Sequence, residues 1–209
     1  MKTAALIDGF NLYHNMNNDK YSKYKWLNFY KLFRYVLGTD ESLEIHYFTT
    51  VNYEDLLNYN EKEKDAKKQR HLTLIKAEEQ HGIISHYGTF RNKEIKCPKC
   101  GKKFQRDVEK QTDVGLGAYL TYLAFSLNVK KFIILSADTD LSPAIKLIKS
   151  NIRKVKINLL LPPGVTKTKL SENCNKTIPL TEELLSKCLF PPVFKAVDGK
   201  TIKCPPEWL

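Results

Sequence analysis

The segment KKFIILSADTDLSPAIKLIK, residues 130–149, contains the pattern that decides the fold of this chain. It starts with a short apolar run, passes through the acidic turn SADTD and ends with apolar residues at helical spacing. Pro143 lies where the first turn of the helix is expected. A buried strand that leads directly into a helix is typical of α/β proteins. The segment therefore predicts a strand–helix unit with acidic residues at the carboxyl end of the strand.

The same alternation of strands and helices extends in both directions from this segment. Apolar and β-branched runs predict further strands, and amphipathic or apolar stretches predict further helices. The predicted strands are 2–8, 43–51, 83–90, 130–137 and 154–162, and the predicted helices are 26–37, 60–82, 113–128, 141–151 and 181–190. Strands that alternate with helices predict a parallel sheet with helices on both faces and right-handed crossovers.

Two parts of the chain depart from this alternation. A polar segment at about 91–110 interrupts it, and the signals weaken from residue 164 onward. We predict a main domain at 1–163 that carries the segment 91–110 as a small cysteine-containing insertion. Residues 164–209 are predicted to be a C-terminal extension that packs on the same domain. A chain of 209 residues is long enough for one decorated α/β domain.

The composition indicates a globular protein with a polyanionic partner. Hydrophobic residues make up 42% and charged residues 27%, which excludes wholesale disorder. Lysine and arginine number 34 against 23 acidic residues, giving a net charge of +11, which favours RNA or DNA as a partner. The five cysteines without a recognisable leader, and the lack of a bilayer-spanning apolar run, predict a cytoplasmic protein without a membrane partner.

Acidic residues lie where a parallel sheet of this kind binds its ligands. Asp8 and Asn11 follow the first predicted strand, Asp138 and Asp140 follow the fourth, and Asp113 starts a predicted helix. Ligands bind beyond the carboxyl ends of the strands, where the strand order reverses. Each residue alone would also suit a helix cap or a turn. Together they would bring three or four carboxylates into one small volume.

Such a cluster of carboxylates favours metal-dependent chemistry. Like charges at close range raise each other's pKa unless a cation neutralises them. Acid and amide oxygens are the ligands that Mg²⁺ or Mn²⁺ prefers. The cation can polarise a phosphodiester and lower the pKa of a bound water, while the basic surface holds the polyanion. The residues therefore favour a nuclease. A phosphatase of the haloacid dehalogenase type is disfavoured, because such an enzyme has a pair of aspartates after its first strand, whereas a single aspartate, Asp8, follows the first strand here.

Three segments of the chain resemble the signature segments of the NYN domain, the PIN-like group that includes the LabA-like proteins. They are LIDGFNLYH, EKQTDVGLGAYL and FIILSADTDLSPAIKLIK, and the resemblance runs from about residue 3 to 161. It implies a Rossmannoid, PIN-like, three-layer α/β fold with a central parallel sheet of strand order 3-2-1-4-5. The resemblance also implies Mg²⁺- or Mn²⁺-dependent hydrolysis of RNA. An RNA-binding or partner-binding module that keeps the acids without cleaving is the alternative.

The resemblance assigns roles to the acidic residues. Asp8, Asp113 and Asp138 match the core metal-binding carboxylates of the family. Asn11 would orient a metal-bound water or a phosphate. Asp140 matches the second acid of the S-x-D-x-D segment, as a direct or a water-mediated ligand. All five are expected catalytic residues.

Two hydroxyl residues lie beside these acids and are expected to support them and the substrate. They are Ser136 and Thr112. The chain departs from the family pattern at Ala137 and Gln111, where a glycine is common. These two changes affect backbone freedom rather than acidity.

The stretch CPKCGKKF, residues 97–104, predicts a cysteine knuckle. Cys97 and Cys100 form a C-x2-C turn that allows two thiolates to bind one tetrahedral, structural zinc ion. Four ligands are needed, and there is no second C-x2-C. The candidates for the other two are Cys174, Cys188, Cys204, His81 and His86, or a cysteine pair from a second protomer of a homodimer. A reduced hairpin without metal is the alternative.

Basic residues surround the knuckle, with aromatic residues interleaved. Phosphate contacts combined with stacking faces are typical of proteins that bind single-stranded RNA. The expected substrate-binding residues are Lys102, Lys103, Arg106 and Lys110. A solvated basic loop is the alternative.

Overall fold

The computed structural model describes residues 2–38, 42–51 and 60–209, with the backbone alone for Phe90, Asn92 and 106–109. Ten strands lie in this part of the chain. They are β1 Thr3–Asp8, β2 Leu43–Thr49, β3 Ile83–Tyr87, β4 Thr89–Lys96, β5 Lys103–Lys110, β6 Lys131–Leu135, β7 Lys156–Leu161, β8 Lys176–Pro179, β9 Val193–Lys195 and β10 Thr201–Lys203.

Six α-helices connect and flank these strands. They are α1 Gly9–Met16, α2 Phe29–Leu37, α3 Glu61–Glu79, α4 Thr112–Phe125, α5 Ser142–Asn151 and α6 Glu182–Lys187. Over the described ranges, none of the helices is both long enough and apolar enough to span a bilayer. Gly38 ends α2 in the left-handed conformation, at φ 61°, as the sequence predicts.

A six-stranded sheet forms the centre of the fold, in the order β3-β2-β1-β6-β7-β8. All of its neighbouring strands are parallel. Residues alternate between its two faces. Ala5 and Ile7 of β1 pack with α1, α2, α3 and α6, whereas Ala4 and Leu6 pack with α4 and α5. The predicted α/β, PIN-like fold with helices on both faces is confirmed.

The order of the sheet differs from the prediction in one detail. The first five strands follow the expected order 3-2-1-4-5, and β8 adds a sixth strand beside β7. This strand has only four residues and lies in the region where the sequence signals weaken. The helix α1 was also not predicted, because its eight residues directly follow Asp8 and overlap a motif that reads as a turn.

The prediction of one strand over 83–90 was wrong. β3 ends at Tyr87, and the backbone N–H of Gly88 donates to the Thr49 carbonyl oxygen at 2.7 Å. The chain then leaves the sheet as the antiparallel hairpin β4–β5, whose strands pair from Thr89 with Lys110 to Lys96 with Lys103. This hairpin is the predicted insertion at about 91–110, and Cys97 to Gly101 form the turn at its tip.

Residues beyond 164 contribute to the packing of the fold. Leu180, Leu185 and Cys188 are buried in the core on the α1–α2 face of the sheet. Trp26 packs against Trp208, and its indole N–H donates to the Pro191 carbonyl oxygen at 3.0 Å. The division of the chain at 163/164 stays a prediction.

A buried carboxyl group joins α3 to the start of α2. Glu78 is fully buried, and its Oε1 and Oε2 accept the backbone N–H of Phe29 at 3.0 and 3.3 Å. Burial raises the pKa of Glu78 well above its usual value of 4.5, and the Phe29 N–H offsets part of this rise. The folded protein therefore holds the Glu78 proton at pH values where the unfolded chain has lost it.

Glu78→Gln should change how stability depends on pH. Because the folded pKa is the higher one, stability falls as pH rises from 4.5 through the folded pKa, by about 1.4 kcal/mol per pH unit. The glutamine cannot ionise, so the variant should gain stability relative to wild type as the pH rises from about 5 towards the folded pKa of Glu78. Thermal unfolding across this range measures the difference. Glu79→Gln, on the exposed neighbour, is the matched control and should follow wild type. A pH-independent difference for Glu78→Gln would contradict the expectation.

Candidate active site

Three carboxylates converge at the carboxyl end of the sheet. Asp8 is the last residue of β1, Asp138 follows the neighbouring strand β6, and Asp113 lies in the first turn of α4. One oxygen from each of the three lies within 4.8 Å of the others. Among the described residues, no other group of three or more potential metal-ligating side chains lies this close together. We call it the acidic cup. The structure thus brings together the three residues predicted as core metal ligands.

Hydrogen bonds hold both oxygens of the Asp8 carboxylate. Its Oδ1 accepts the backbone N–H of Asn11 at 2.9 Å, which caps the start of α1. Its Oδ2 accepts the Ser136 hydroxyl at 2.8 Å. Asp8 is only 3% exposed. The carboxylate therefore has a fixed orientation at the floor of the cup.

The environment of Asp8 shifts its acidity. Burial raises the pKa of Asp8 to about 6, and the negative charges of Asp113 and Asp138 also raise it. The hydrogen bonds from Asn11 and Ser136 lower this pKa but do not offset burial. A bound cation would favour the ionised form of a carboxylate in this position.

Ser136 and Asn11 tie the end of β1 to the turn that follows β6. Ser136 is buried, and its Oγ also accepts the backbone N–H of Asp138 at 3.0 Å. The side-chain oxygen of Asn11 accepts the backbone N–H of Ala137 at 3.1 Å. These bonds fix the two strand ends relative to each other, so Asp8 and Asp138 keep their separation. Ser136 is therefore placed to position carboxylates. Its predicted contact with substrate stays a prediction.

Asp140 lies outside the acidic cup. Its backbone N–H donates to Asp138 Oδ1 at 2.9 Å, so Asp138 also caps the turn Thr139–Leu141. The Asp140 side chain is exposed and borders a groove that Asp113, Lys110 and Gln111 also line. In this position the carboxylate suits a water-mediated role better than direct ligation. Its role stays a prediction.

Gln111, the residue before α4, borders both the groove beside the acidic cup and a second depression. Gln111 adopts a φ of 80°, which is unfavourable for a residue with a side chain and explains why a glycine suits this position. Thr112 is buried and lines the second depression together with Phe48, His86 and Tyr119. The His86 ring stacks on Phe48 with 4.5 Å between centroids. Sequence reasoning missed this aromatic depression, because its residues come from β2, β3 and α4 and share no local pattern.

The predicted basic residues are spread along the hairpin β4–β5. Lys110 lines the groove beside the acidic cup. Lys102 and Lys103 are exposed near the tip, at the opposite end of β5, and Lys103 forms an ion pair with Glu94 at 2.8 Å. Seven residues of extended strand span about 23 Å. The structure therefore does not bring the tip lysines to the cup. The side chain of Arg106 lies outside the described part.

The cysteine pair forms a turn at the tip of the hairpin. The backbone N–H of Cys97 donates to the Lys102 carbonyl at 2.8 Å, and that of Gly101 donates to the Cys97 carbonyl at 2.9 Å. The backbone N–H groups of Cys100 and then Lys99, with the Cys100 side chain, lower the pKa of the Cys97 thiol.

The other zinc candidates lie in separate places. Cys188 and Cys204 are buried, and burial raises the pKa of both thiols. The ring nitrogen Nε2 of His86 lies 3.0 Å from Nδ1 of His46, within the sheet. Neither these residues nor Cys174 and His81 form a metal-ligating group with the knuckle in the described structure.

Comparison with known proteins agrees with this geometry. The family model of the NYN domain matches residues 2–182. A curated relative, the 6-hydroxy-3-succinoylpyridine 3-monooxygenase HspA of Pseudomonas putida, is 25% identical, in a match that covers 78% of this chain and 60% of the relative. The chain thus spans less than two thirds of that protein. No solved structure matches the sequence. Because the NYN match extends over most of the sequence and includes all three aspartates of the cup, the chain belongs to the NYN domain family of PIN-like nucleases.

Proposed function

We propose that this protein is a divalent-metal-dependent ribonuclease that hydrolyses phosphodiester bonds of single-stranded RNA. The observation that carries the proposal is the approach of Asp8, Asp113 and Asp138 to within 4.8 Å of one another. They converge at the carboxyl ends of neighbouring parallel strands, where α/β folds bind ligands. The net charge of +11 makes the same chain attractive to a polyanion.

The residues of the cup fit a hard divalent cation. Carboxylate oxygens from three elements are the donor set that Mg²⁺ or Mn²⁺ prefers. Burial, and to a lesser extent the charges of Asp113 and Asp138, raises the pKa of Asp8, and a bound cation would favour its ionised form. Asp8, Asp113 and Asp138 would hold the ion. A bound ion supplies Lewis-acid activation of the phosphate and of the attacking water.

The remaining groups of the site orient the ligands and the substrate. Ser136 and the backbone of Asn11 hold Asp8 in one rotamer, so the carboxylate needs little reorganisation when a cation binds. Lys110 lies on the groove next to Asp113, where its ammonium group can contact a phosphate of the strand. The rings of Phe10 and Tyr13 on α1 are each about two fifths exposed and offer stacking surface for unpaired bases, although the Lys25 ammonium group covers one face of Tyr13. We assign the single-stranded preference to these rings.

The apolar cavity of this chain is small compared with the substituted pyridine in the name of the curated relative. That cavity lies beside α1 and is lined by residues that include Tyr13, Tyr47 and Trp208, with Lys25 and Arg70 at its edge. Its volume is about 40 Å³, which holds only a few water molecules. A substituted pyridine would not fit. The chain also spans only 60% of that relative at 25% identity, so we do not extend the monooxygenase activity to this protein.

Cleavage of RNA should require the divalent cation. Protein loaded with Mg²⁺ or Mn²⁺ should shorten a labelled single-stranded RNA, and EDTA in excess should stop the reaction because it removes the ion from the cup. Restoring the cation should restore cleavage. A duplex of the same sequence is the matched substrate control and should be cut more slowly. If metal-loaded protein binds a range of RNAs but leaves all of them intact, the enzyme proposal fails and the non-catalytic RNA-binding module is preferred.

A further inference from the structure

We propose that Cys97 and Cys100 bind one zinc ion together with the same two cysteines of a second copy of this chain. The hairpin β4–β5 would then join two protomers tip to tip through a four-sulfur zinc site. This inference is independent of the proposed ribonuclease activity, because it concerns the end of the hairpin that lies away from the acidic cup.

The tip of the hairpin already has the local geometry of half a zinc site. The backbone N–H of Cys97 donates to the Lys102 carbonyl oxygen at 2.8 Å, and that of Gly101 donates to the Cys97 carbonyl oxygen at 2.9 Å, so the tip is a closed, hydrogen-bonded turn. Gly101 follows with a φ of +71°, a left-handed conformation that lets the turn close at this residue. Both cysteines are thus held on one short turn. Two thiolates on such a turn provide two of the four ligands that a structural zinc ion takes.

Within the described residues, the chain does not bring two further ligands to the cysteine pair. All five cysteines and all five histidines lie within the described residues. Among the described residues, the only group of three or more potential metal ligands is the acidic cup. No histidine or third cysteine therefore lies within ligand distance of both Cys97 and Cys100. A zinc ion with two protein sulfurs would be left open to solvent, which is unlike a structural site. The site is therefore incomplete without a second chain.

The surface around the tip favours a dimer that forms only when zinc is bound. The Phe104 ring lies opposite Ile95 on the hairpin and is 50% exposed, so a facing hairpin would cover apolar surface. Lys96, Lys99 and Lys102 are exposed close to the cysteines. Two such tips repel each other in the absence of zinc, whereas four thiolates with one Zn²⁺ carry a net negative charge. Removing the ion should therefore separate the protomers.

The test measures zinc content and molar mass in the same sample of the full chain. Protein reconstituted with Zn²⁺ alone should contain one zinc ion per two chains and have twice the 24.2 kDa mass of the chain by light scattering. Chelation should return it to the monomer. Co²⁺ in place of zinc should give the absorption spectrum of a four-thiolate site. These readouts do not involve RNA, so a failed ribonuclease assay would leave them unaffected.

The double variant Cys97→Ser, Cys100→Ser should stay monomeric at every zinc concentration and lose the cobalt–thiolate spectrum. Cys174→Ser, which changes a half-buried cysteine away from the hairpin, should behave as wild type. Asp138→Asn should also keep the zinc-linked dimer, which separates this site from the acidic cup. Zinc bound at one ion per monomer, no zinc binding, or a dimer that persists in the double variant would each overturn the proposal.

Discussion

Asp138→Asn should reduce RNA cleavage by about a thousandfold and leave RNA binding unchanged. The substitution removes one negative charge from the acidic cup, and a loss of several kcal/mol of transition-state stabilisation corresponds to this factor. The shape of the site should survive. The backbone N–H of residue 138 can still donate to Ser136, and the asparagine oxygen can still accept the N–H of Asp140. The defect should therefore be chemical rather than structural.

Single-turnover cleavage and fluorescence anisotropy with the same RNA separate the two effects. Asp198→Asn makes the identical chemical change in an exposed turn between β9 and β10 and should cleave as wild type. The cleavage rate of Asp140→Asn should lie between those of these two variants, since the Asp140 carboxylate borders the groove without joining the cup. Wild-type cleavage by Asp138→Asn would show that Asp138 is not a ligand of a catalytic ion. Equal losses at positions 138 and 140 would instead assign both acids to the ion.

Much of the acidic cup could be predicted because its residues follow a rule of the fold. Asp8 and Asp138 each come directly after a buried apolar strand, and parallel strands place such residues at one edge of the sheet. The neighbouring positions of β1 and β6, however, came from the resemblance to the NYN domain. Strand pairing brings together residues about 130 positions apart, and no local pattern encodes it.

The finer geometry of the cup could not be predicted from spacing. The bond between Ser136 and Asp8 joins residues distant in the sequence, and nothing in the segment SADTD predicts it. The separation of Asp138 and Asp140 by one residue in the sequence does not reveal whether both carboxylates or only one of them points into the cup. The turn that Asp138 caps decides this, since it places Asp140 on the groove instead.

The strands β4 and β5 of the insertion and the edge strand β8 were not predicted, for a related reason. β4 and β5 are mostly polar and have only two apolar residues each, so hydrophobic alternation gives no signal. β8 is short and lies at the edge of the sheet, where one neighbour alone stabilises it. In both cases the backbone pairing, rather than burial of side chains, defines the strand.

The glycine of the first motif has a steric function that the sequence did not reveal. In the segment IDGFN, an Asp-Gly pair reads as a turn, whereas the structure places Gly9 at the first position of α1, against β2. A Cβ atom at this position would lie 2.5 Å from Cε2 of Tyr47 and 2.6 Å from the backbone oxygen of Phe48. Tyr47 is buried, and Phe48 belongs to a strand held on both sides by its neighbours, so neither atom can move away cheaply.

Gly9→Ala should therefore destabilise the protein by about 3 kcal/mol, the upper part of the range for overpacking a core. For a chain of this size the melting temperature should fall by roughly 6–12 °C. Gly117→Ala is the matched control, because its added methyl would lie 3.9 Å from the Ala144 Cβ, an ordinary contact. In the interior of α4 that change should stabilise the helix by up to about 1 kcal/mol. Thermal and urea unfolding of both variants measure these opposite signs. If Gly9→Ala unfolds at the wild-type temperature, α1 can move away from β2, and the position of Asp8 does not depend on the close contact at Gly9.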